Sequence, residues 1–99
     1  MIAAFSITPL GAGESVGHLV ADCVHIVRQS GLPNETNAMF TNIEGDWDEV
    51  MAVIKACVDH VNSVAPRTSL VVKIDALADD PGGRLRSKVE SVERHLSQP

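Results

Sequence analysis

The sequence predicts an α+β fold in which a four-stranded antiparallel sheet carries two helices on one face. Strand-like segments rich in β-branched and aromatic residues stand near both ends of the chain, at Ile2–Leu10 and at residues 69–75. Between them, two segments repeat apolar residues at spacings of three and four, which is typical of amphipathic helices. The resulting order, β-α-β-β-α-β, matches a ferredoxin-like sandwich, with an additional C-terminal helix.

The first half of the chain is predicted as strand, helix and strand pair. Ile2–Leu10 ends in a glycine-rich turn, and Gly31 stands where the first helix stops. Two polar-rich stretches, residues 34–39 and 40–45, are predicted as the second and third strands. The apolar stripe of the first helix consists of Val16, Leu19, Val20, Cys23, Val24 and Val27.

The second half is predicted as helix, strand and helix. Asp46 and Glu49 have the spacing of a capping box at the start of the second helix, and Pro66 ends that helix. Residues 69–75 form the last strand, and residues 79–83 form a loop of turn-forming residues. The third helix has an apolar stripe at 4-3-4 spacing, made of Leu85, Val89, Val92 and Leu96.

Composition limits the partners of the chain. A length of 99 residues favours one domain over residues 1–99, and 13 acids against 8 Lys plus Arg give a net charge of −5. This acid excess argues against a protein that tracks nucleic-acid phosphates. Only Phe5, Phe40 and Trp47 are aromatic, so platforms for base stacking are scarce as well.

The sequence also predicts a cytoplasmic protein without a metal site or cofactor. No apolar run approaches the ~20 residues of a membrane span, and the first residues lack the basic region of a signal peptide. Cys23 and Cys57 are expected to be buried free thiols in a reducing compartment. Cys57 and His60 have the spacing of two ligands on one helix, but no second ligand cluster accompanies them.

The motifs do not predict an enzyme. Gly11, Gly13 and Gly17 lie between a strand and a helix, as in a dinucleotide site, but no acid suits the ribose and the chain is too short for a doubly wound sheet. The same segment lacks the arginine that an acylphosphatase-like anion cradle needs. The glycines are therefore expected to serve the turn.

Polar residues on the predicted strands are the strongest functional signal in the residues themselves. Ser6 and Thr8 share one face by period two, and Lys73 and Asp75 share a face of the last strand. Such residues line either a solvated or intersubunit surface or a small-ligand site. The uncovered face of the sheet favours association into an oligomer.

Four segments stand in the same order as in a known family: residues 2–11, residues 37–45 with the pattern Met-x-Thr-x-Ile-Glu-Gly, residues 73–75 and residues 88–93. This sequence resembles the small thiamine-binding (YkoF-like) proteins. The resemblance implies a ferredoxin-like fold and homo-oligomers, often tetramers built as dimers of dimers. It also implies that the chain binds thiamine or its hydroxymethylpyrimidine moiety without catalysing a reaction.

For such a ligand, hydroxyl groups supply donors and acceptors, and carboxylates accept from the amino group or balance the thiazolium charge. Asn37 is expected to meet the aminopyrimidine edge with both amide functions, and Met39 and Ile43 to contact the flat ring. The candidate ligand-binding residues are Ser6, Thr8, Asn37, Met39, Thr41, Ile43, Glu44 and Asp75.

Two alternatives stay open at the level of sequence. In the first, the chain is a structural or interaction module without a ligand, and the polar strand residues build a subunit interface. In the second, it is a small hydrolase or isomerase in which Glu44 or Asp75 acts as a base.

Overall fold

Over residues 1–98, the chain forms four strands, three α-helices and one 3-10 turn. The computed structural model describes residues 1–98, apart from the side chain of Ser15. In chain order the elements are β1 (Ile2–Leu10), a 3-10 turn (Gly13–Ser15), α1 (Val16–Gln29), β2 (Asn34–Thr36), β3 (Thr41–Glu44), α2 (Trp47–Asn62), β4 (Arg67–Asp75) and α3 (Arg84–Leu96).

The strands form one antiparallel sheet in the order β2-β3-β1-β4. β1 lies at its centre, and its nine residues all pair with β4, from Ile2 opposite Asp75 to Leu10 opposite Arg67. Helices α1 and α2 connect strands that are not neighbours in the sheet. This topology confirms the predicted ferredoxin-like α+β fold.

The core lies between the sheet and the pair α1 and α2. Ala3, Phe5 and Ile7 alternate along β1 and face the helices, together with Ile43 of β3. From the helices, the core takes Leu19, Cys23 and Val27 of the predicted α1 stripe together with four residues of α2, which are Val50, Ile54, Cys57 and Val61. The apolar residues that follow a period of two on the strands and a period of 3.6 on the helices therefore pack into one apolar layer.

The boundaries of the strand pair differ from the prediction. β2 ends at Thr36 and β3 begins at Thr41, so Met39 lies in a turn rather than on a strand. The Asn37 side-chain oxygen accepts hydrogen bonds from the backbone N–H groups of Met39 and Phe40, at 2.9 Å each. Asparagine competes in this way with the strand ladder and closes the turn.

The turn after β1 needs glycine at its first position. Gly11 has a φ of +77°, and a Cβ atom there would lie 2.8 Å from Cγ of Pro66. Both the backbone angle and the close approach of the chain after α2 exclude other residues. The expectation that this glycine serves the turn is confirmed.

The sheet face opposite α1 and α2 is only partly covered. α3 begins at one end of this face, where Glu44 and Asp75 end their strands, and it packs mainly against β3. No residue of α3 is buried. Within residues 1–98, none of the helices combines the length and the apolar character needed to cross a membrane.

Candidate ligand site at the turn between β2 and β3

A small cavity lies where the turn between β2 and β3 meets β1 and α1. Its volume is about 200 Å³. We call it the turn cavity; it is lined by Phe5, Ser6 and Ile7 of β1, by Val20, Cys23 and Val24 of α1, and by residues 36–41. The three elements leave a space because the chain turns away from β1 before the sheet ends.

A gap in strand pairing opens the cavity on the side of the sheet. The ladder between β1 and β3 ends at the pair Phe5 and Thr41, whereas β1 continues to Leu10. From Ser6 onward, the β3-side edge of β1 therefore lacks a strand partner within residues 1–98. Such an edge offers backbone N–H and C=O groups to a ligand.

Four of the eight predicted site residues line the turn cavity: Ser6, Asn37, Met39 and Thr41. Because Ser6 alternates with Phe5 and Ile7 along β1, its side chain lies on the same sheet face as that of Thr8, and Ser6 borders the cavity with its backbone. Thr41 faces the helices from β3 and is 9% exposed, so it contributes a hydroxyl group to a largely apolar wall. The Asn37 oxygen is used by the turn, which leaves its NH₂ group as the donor available to a ligand. The expectation that both amide functions face a ligand is therefore not supported by the geometry.

Cys23 forms part of the cavity wall from α1. Its Sγ lies 3.8 Å from the carbonyl oxygen of Cys57, and the Sγ of Cys57 lies 3.6 Å from the carbonyl oxygen of Cys23. Both thiols are free and buried, as predicted. The contact with Cys23, together with burial, raises the pKa of the Cys57 thiol, which therefore stays protonated at neutral pH.

Two predicted residues lie elsewhere in the sheet. Ile43 is fully buried in the core between the sheet and the helices and does not line the turn cavity. Thr8 is exposed on the opposite face of the sheet, opposite Ser69 of β4. The structure does not bring these two side chains to the turn cavity.

Glu44 caps a helix. Its side chain is 4% exposed, and its carboxylate accepts hydrogen bonds from the backbone N–H groups of Arg84 at 2.9 Å and Leu85 at 3.2 Å. Gly83, at the N-cap of α3, has no side chain to satisfy these groups. Glu44 replaces the missing cap from a strand that is 40 residues away in the sequence, and its negative charge suits the helix N-terminus.

Asp75 belongs to an ion-pair network that attaches α3 to the sheet. Its carboxylate contacts Lys88 and, at 3.0 Å, the guanidinium of Arg84. Hydrogen bonds from Lys88 and Arg84 lower the pKa of the Asp75 carboxyl. Arg84 also contacts Asp80 at 3.1 Å. The N-terminal ammonium group of Met1, 2.8 Å away, and the Gly82 N–H hold the pKa of Asp80 at about 2.

A larger cleft of about 580 Å³ separates α3 from β2. Glu35, Glu44, Arg86 and Glu90 line it together with apolar residues of α3. Of the predicted site residues, only Glu44 reaches this cleft, and its carboxylate is already engaged. Among the described residues, no group of three or more His, Cys, Asp or Glu side chains is arranged to hold a metal ion.

Three residues were not predicted from the sequence: Thr36 and Cys23, which line the turn cavity, and Arg84, which attaches α3 to the sheet. Thr36 pairs directly with Thr41 across the strands, and Cys23 belongs to the α1 stripe, so strand register and helix periodicity together were the available signals. Arg84 gave no signal, because its partners Asp75 and Asp80 come together only in the folded chain.

Comparison with known protein sequences identifies relatives of this chain. A family model described as thiamine-binding protein matches residues 3–93. The UPF0045 protein of Mycobacterium bovis is 51% identical over 102 residues, which cover all of this chain and 97% of that protein. A UPF0045 protein of Synechocystis is 43% identical over 91 residues, or 91% of this chain and 74% of the relative.

Solved structures share the fold. A hypothetical protein from Methanocaldococcus jannaschii superposes with a TM-score of 0.82 at 33% identity, over 93% of this chain and 94% of the other. A Thermotoga maritima protein named for thiamine biosynthesis or salvage superposes with a TM-score of 0.78, over 92% and 96% of the two chains. Its identity of 19% supports likeness of fold alone. The match over residues 3–93 confirms the resemblance seen in the sequence, and the chain belongs to the thiamine-binding protein family.

Proposed function

We propose that this protein binds thiamine or its hydroxymethylpyrimidine moiety, without covalent chemistry, and that the pyrimidine ring enters the turn cavity. The observation that carries the proposal is the convergence of the Ser6 backbone and the side chains of Asn37, Met39 and Thr41 on one cavity of about 200 Å³. A cavity of about 150 Å³ holds a benzene ring. The turn cavity therefore suits one substituted six-membered ring and is small for both rings of thiamine.

The groups around the turn cavity match a neutral aminopyrimidine. Such a ring carries an amino donor beside ring-nitrogen acceptors, and the wall offers the hydroxyl groups of Thr36 and Thr41, the Asn37 NH₂ group and the unpaired edge of β1. Phe5, Ile7 and Val20 supply apolar contact to the ring faces. Each hydrogen-bond donor of the ring would then have an acceptor in the cavity wall, and each acceptor a donor.

The charged thiazolium ring is expected to stay outside the cavity. The residues that line the turn cavity carry no acidic side chain, and Glu44 and Asp75 are engaged with α3. A desolvated cation without a partner is costly, so the cationic ring is better placed in solvent. Met39, 73% exposed at the cavity rim, is placed to contact it.

Calorimetric titration tests the proposal with three ligands. Hydroxymethylpyrimidine and thiamine are expected to bind with similar affinity, because the pyrimidine makes the buried contacts, whereas the isolated thiazole alcohol gives no heat. Absence of heat with both pyrimidine ligands, on folded protein, would sink the proposal.

A matched pair of variants locates the site. Thr41→Val removes a hydroxyl group from the cavity wall at constant volume, and we expect affinity to fall about fivefold to tenfold, the value of one hydrogen bond. Thr8→Val removes a hydroxyl group from the opposite sheet face and is expected to leave affinity unchanged. Equal weakening by both variants would place the ligand elsewhere.

The proposal includes a homo-oligomer in the cytoplasm, built as a dimer of dimers, as the family resemblance implies. It includes no hydrolase or isomerase step. Lys88 and Arg84 lower the pKa of Asp75, which makes that carboxylate a weaker base, and both oxygens of Glu44 accept hydrogen bonds from α3. Neither carboxylate is free to take a proton from a substrate.

A further inference from the structure

Two thiols that the proposed function leaves without a role meet where α1 packs against α2. The Sγ of Cys23 lies 3.8 Å from the carbonyl oxygen of Cys57, and the Sγ of Cys57 lies 3.6 Å from the carbonyl oxygen of Cys23. Each sulfur therefore reaches the backbone of the residue that carries the other. Both cysteines are free, and both belong to the core between the sheet and the helices.

The reciprocal contact favours a disulfide between the two helices. Because each sulfur touches the other residue's carbonyl group, the two side chains lie side by side rather than end to end. The thiols are also close enough to change each other's pKa. A disulfide needs sulfurs about 2.05 Å apart, and rotation about the two Cα–Cβ bonds is the movement that turns these sulfurs toward each other.

The turn cavity gives a small reagent access to one of the two thiols. Cys23 lines that cavity and is 2% exposed, whereas Cys57 is fully buried and does not line it. The other side of the Cys23 side chain is covered by α2. A volume of about 200 Å³ is ample for hydrogen peroxide, which has two heavy atoms, since a water molecule in the liquid takes about 30 Å³.

The two thiols differ in reactivity in the order that this access requires. The neighbouring Cys57 thiol lowers the pKa of Cys23 by more than burial and Asp22 raise it, and His60 lowers it further. Contact with Cys23, together with burial, raises the pKa of Cys57. His60 and Asp22 pair at 2.8 Å beside the cysteines. The thiolate is the nucleophile, so the thiol that a reagent can reach is also the one that reacts first.

We propose that Cys23 and Cys57 are a peroxide-sensitive thiol pair: a small peroxide that enters the turn cavity oxidises them to a disulfide within the chain, and this disulfide weakens ligand binding in the cavity. The oxidation is independent of any ligand. Its effect on binding rests on the proposed function.

The oxidation proceeds in two steps that balance. The Cys23 thiolate attacks one oxygen of hydrogen peroxide, the O–O bond breaks, and the departing hydroxide takes up the proton that Cys23 released. The product is the sulfenic acid of Cys23. The Cys57 sulfur then attacks the sulfenic sulfur, the S–O bond breaks, and the departing hydroxide takes the Cys57 proton. The two thiols lose two electrons and two protons, and the peroxide becomes two water molecules.

The disulfide changes the wall against which the ligand packs. Bond formation draws the Cys23 Sγ toward α2, so a ring in the turn cavity loses contact with that sulfur. We expect the affinity for hydroxymethylpyrimidine to fall about threefold or more. A ring bound in the cavity also lies between the peroxide and Cys23, so the ligand is expected to slow the oxidation.

Peptide mapping of peroxide-treated protein tests the oxidation. The expected product is a chain in which Cys23 is linked to Cys57, without covalent dimers on a non-reducing gel. Dimedone, which traps sulfenic acids, should label Cys23 before Cys57 during brief treatment of the wild type. Cys57→Ser should accumulate the Cys23 sulfenic acid, whereas Cys23→Ser, the matched control, should give little dimedone product. The wild-type labelling order makes the test independent of how well either variant folds.

Ligand protection and titration test the connection with the cavity. Saturating hydroxymethylpyrimidine should slow disulfide formation about fivefold or more, whereas the isolated thiazole alcohol should leave the rate unchanged. Oxidised protein should bind hydroxymethylpyrimidine more weakly, and dithiothreitol should restore the affinity. This reversal is the control for Met39, which is exposed at the cavity rim, because dithiothreitol reduces the disulfide rapidly and leaves methionine sulfoxide in place.

The outcomes separate this inference from the proposed function. Thiols that stay free on folded protein, or that link only between chains, overturn the thiol pair whatever the ligand does. A disulfide that forms equally fast with bound hydroxymethylpyrimidine, or that leaves its affinity unchanged, overturns the connection with the turn cavity while ligand binding stands. Absence of heat with both pyrimidine ligands on reduced protein overturns the proposed function, and the oxidation is then decided by the peptide map alone.

Discussion

At the scale of single residues, Glu44 was predicted as a ligand-binding residue, and its observed contacts are structural. Its carboxylate is buried and accepts two backbone N–H groups at the start of α3. A buried carboxylate of this kind is stabilised by the hydrogen bonds and by the positive end of the helix dipole. Glu44 therefore joins β3 to α3, and its contribution belongs to folding rather than to ligand contact.

Glu44→Gln is expected to lower the free energy of unfolding by about 1–3 kcal/mol, because one N–H of α3 loses its acceptor and the charge at the helix terminus is removed. Urea unfolding measures the loss, and hydrogen exchange should show faster exchange at Arg84 and Leu85. Glu35→Gln, an exposed acid in the same cleft, serves as the control and should change stability little. If Glu44→Gln instead weakens ligand binding at unchanged stability, the capping role is wrong.

Roles that depend on neighbouring residues in the sequence were easier to predict than contacts with distant residues. Thr41 and Asn37 lie at a cavity because strand periodicity and a turn-forming asparagine are local properties. Glu44 and Asp75 have partners that are 40 and 9 residues further along the chain. No spacing rule links a strand carboxylate to the start of a helix that lies so far along the sequence. The structural roles of Glu44 and Asp75 could therefore not be predicted from the sequence.

At the scale of elements, α2 was predictable because its signals lie within one turn. The Asp46 side chain accepts from the Glu49 N–H at 2.8 Å, and the Glu49 side chain accepts from the Asp46 N–H at 3.1 Å. The predicted capping box is confirmed. The strand pair was less predictable, since the side chain of Asn37 decides where β2 ends.

Asp46→Ala should destabilise the protein by about 1 kcal/mol, because the variant removes the acceptor for the Glu49 N–H at the start of α2. Thermal unfolding measures the change. Asp48→Ala provides the comparison: it removes a first-turn acid without removing the cap, and its cost should be a few tenths of a kcal/mol. Equal losses in the two variants would mean that charge, rather than the cap, stabilises this end.

At the scale of the whole molecule, the order of elements was predictable and the shape was not. Periodicity predicted both layers of the sandwich, and right-handed crossovers leave few ways to connect them. The direction of α3 depends instead on ion pairs among Met1, Asp75, Asp80 and Arg84, which lie on four separate segments. An elongated chain with an exposed helix is thus a product of tertiary electrostatics, which composition does not reveal.

The same network predicts how the attachment of α3 depends on pH. The pKa of Asp80 is about 2 in the folded chain, and that of Asp75 is also lowered, whereas unfolded aspartates titrate near 3.9. A depressed folded pKa stabilises the folded state fully above the unfolded value. This stabilisation is lost as pH falls from about 4 through 2. We expect the free energy of unfolding to fall over that window, with faster hydrogen exchange in α3 than in β1.

Two asparagine variants isolate the network from the other acids that titrate in the same range. Asp80→Asn removes the titratable carboxylate and its ion pairs with Met1 and Arg84, so its unfolding free energy should depend less on pH between 4 and 2 than that of the wild type. Asp79→Asn changes the neighbouring exposed acid, whose positive φ asparagine also tolerates, and should keep the full dependence. Urea unfolding at several pH values measures all three proteins. If Asp80→Asn leaves the dependence of the unfolding free energy on pH unchanged, then acid destabilises the protein at a site other than the start of α3.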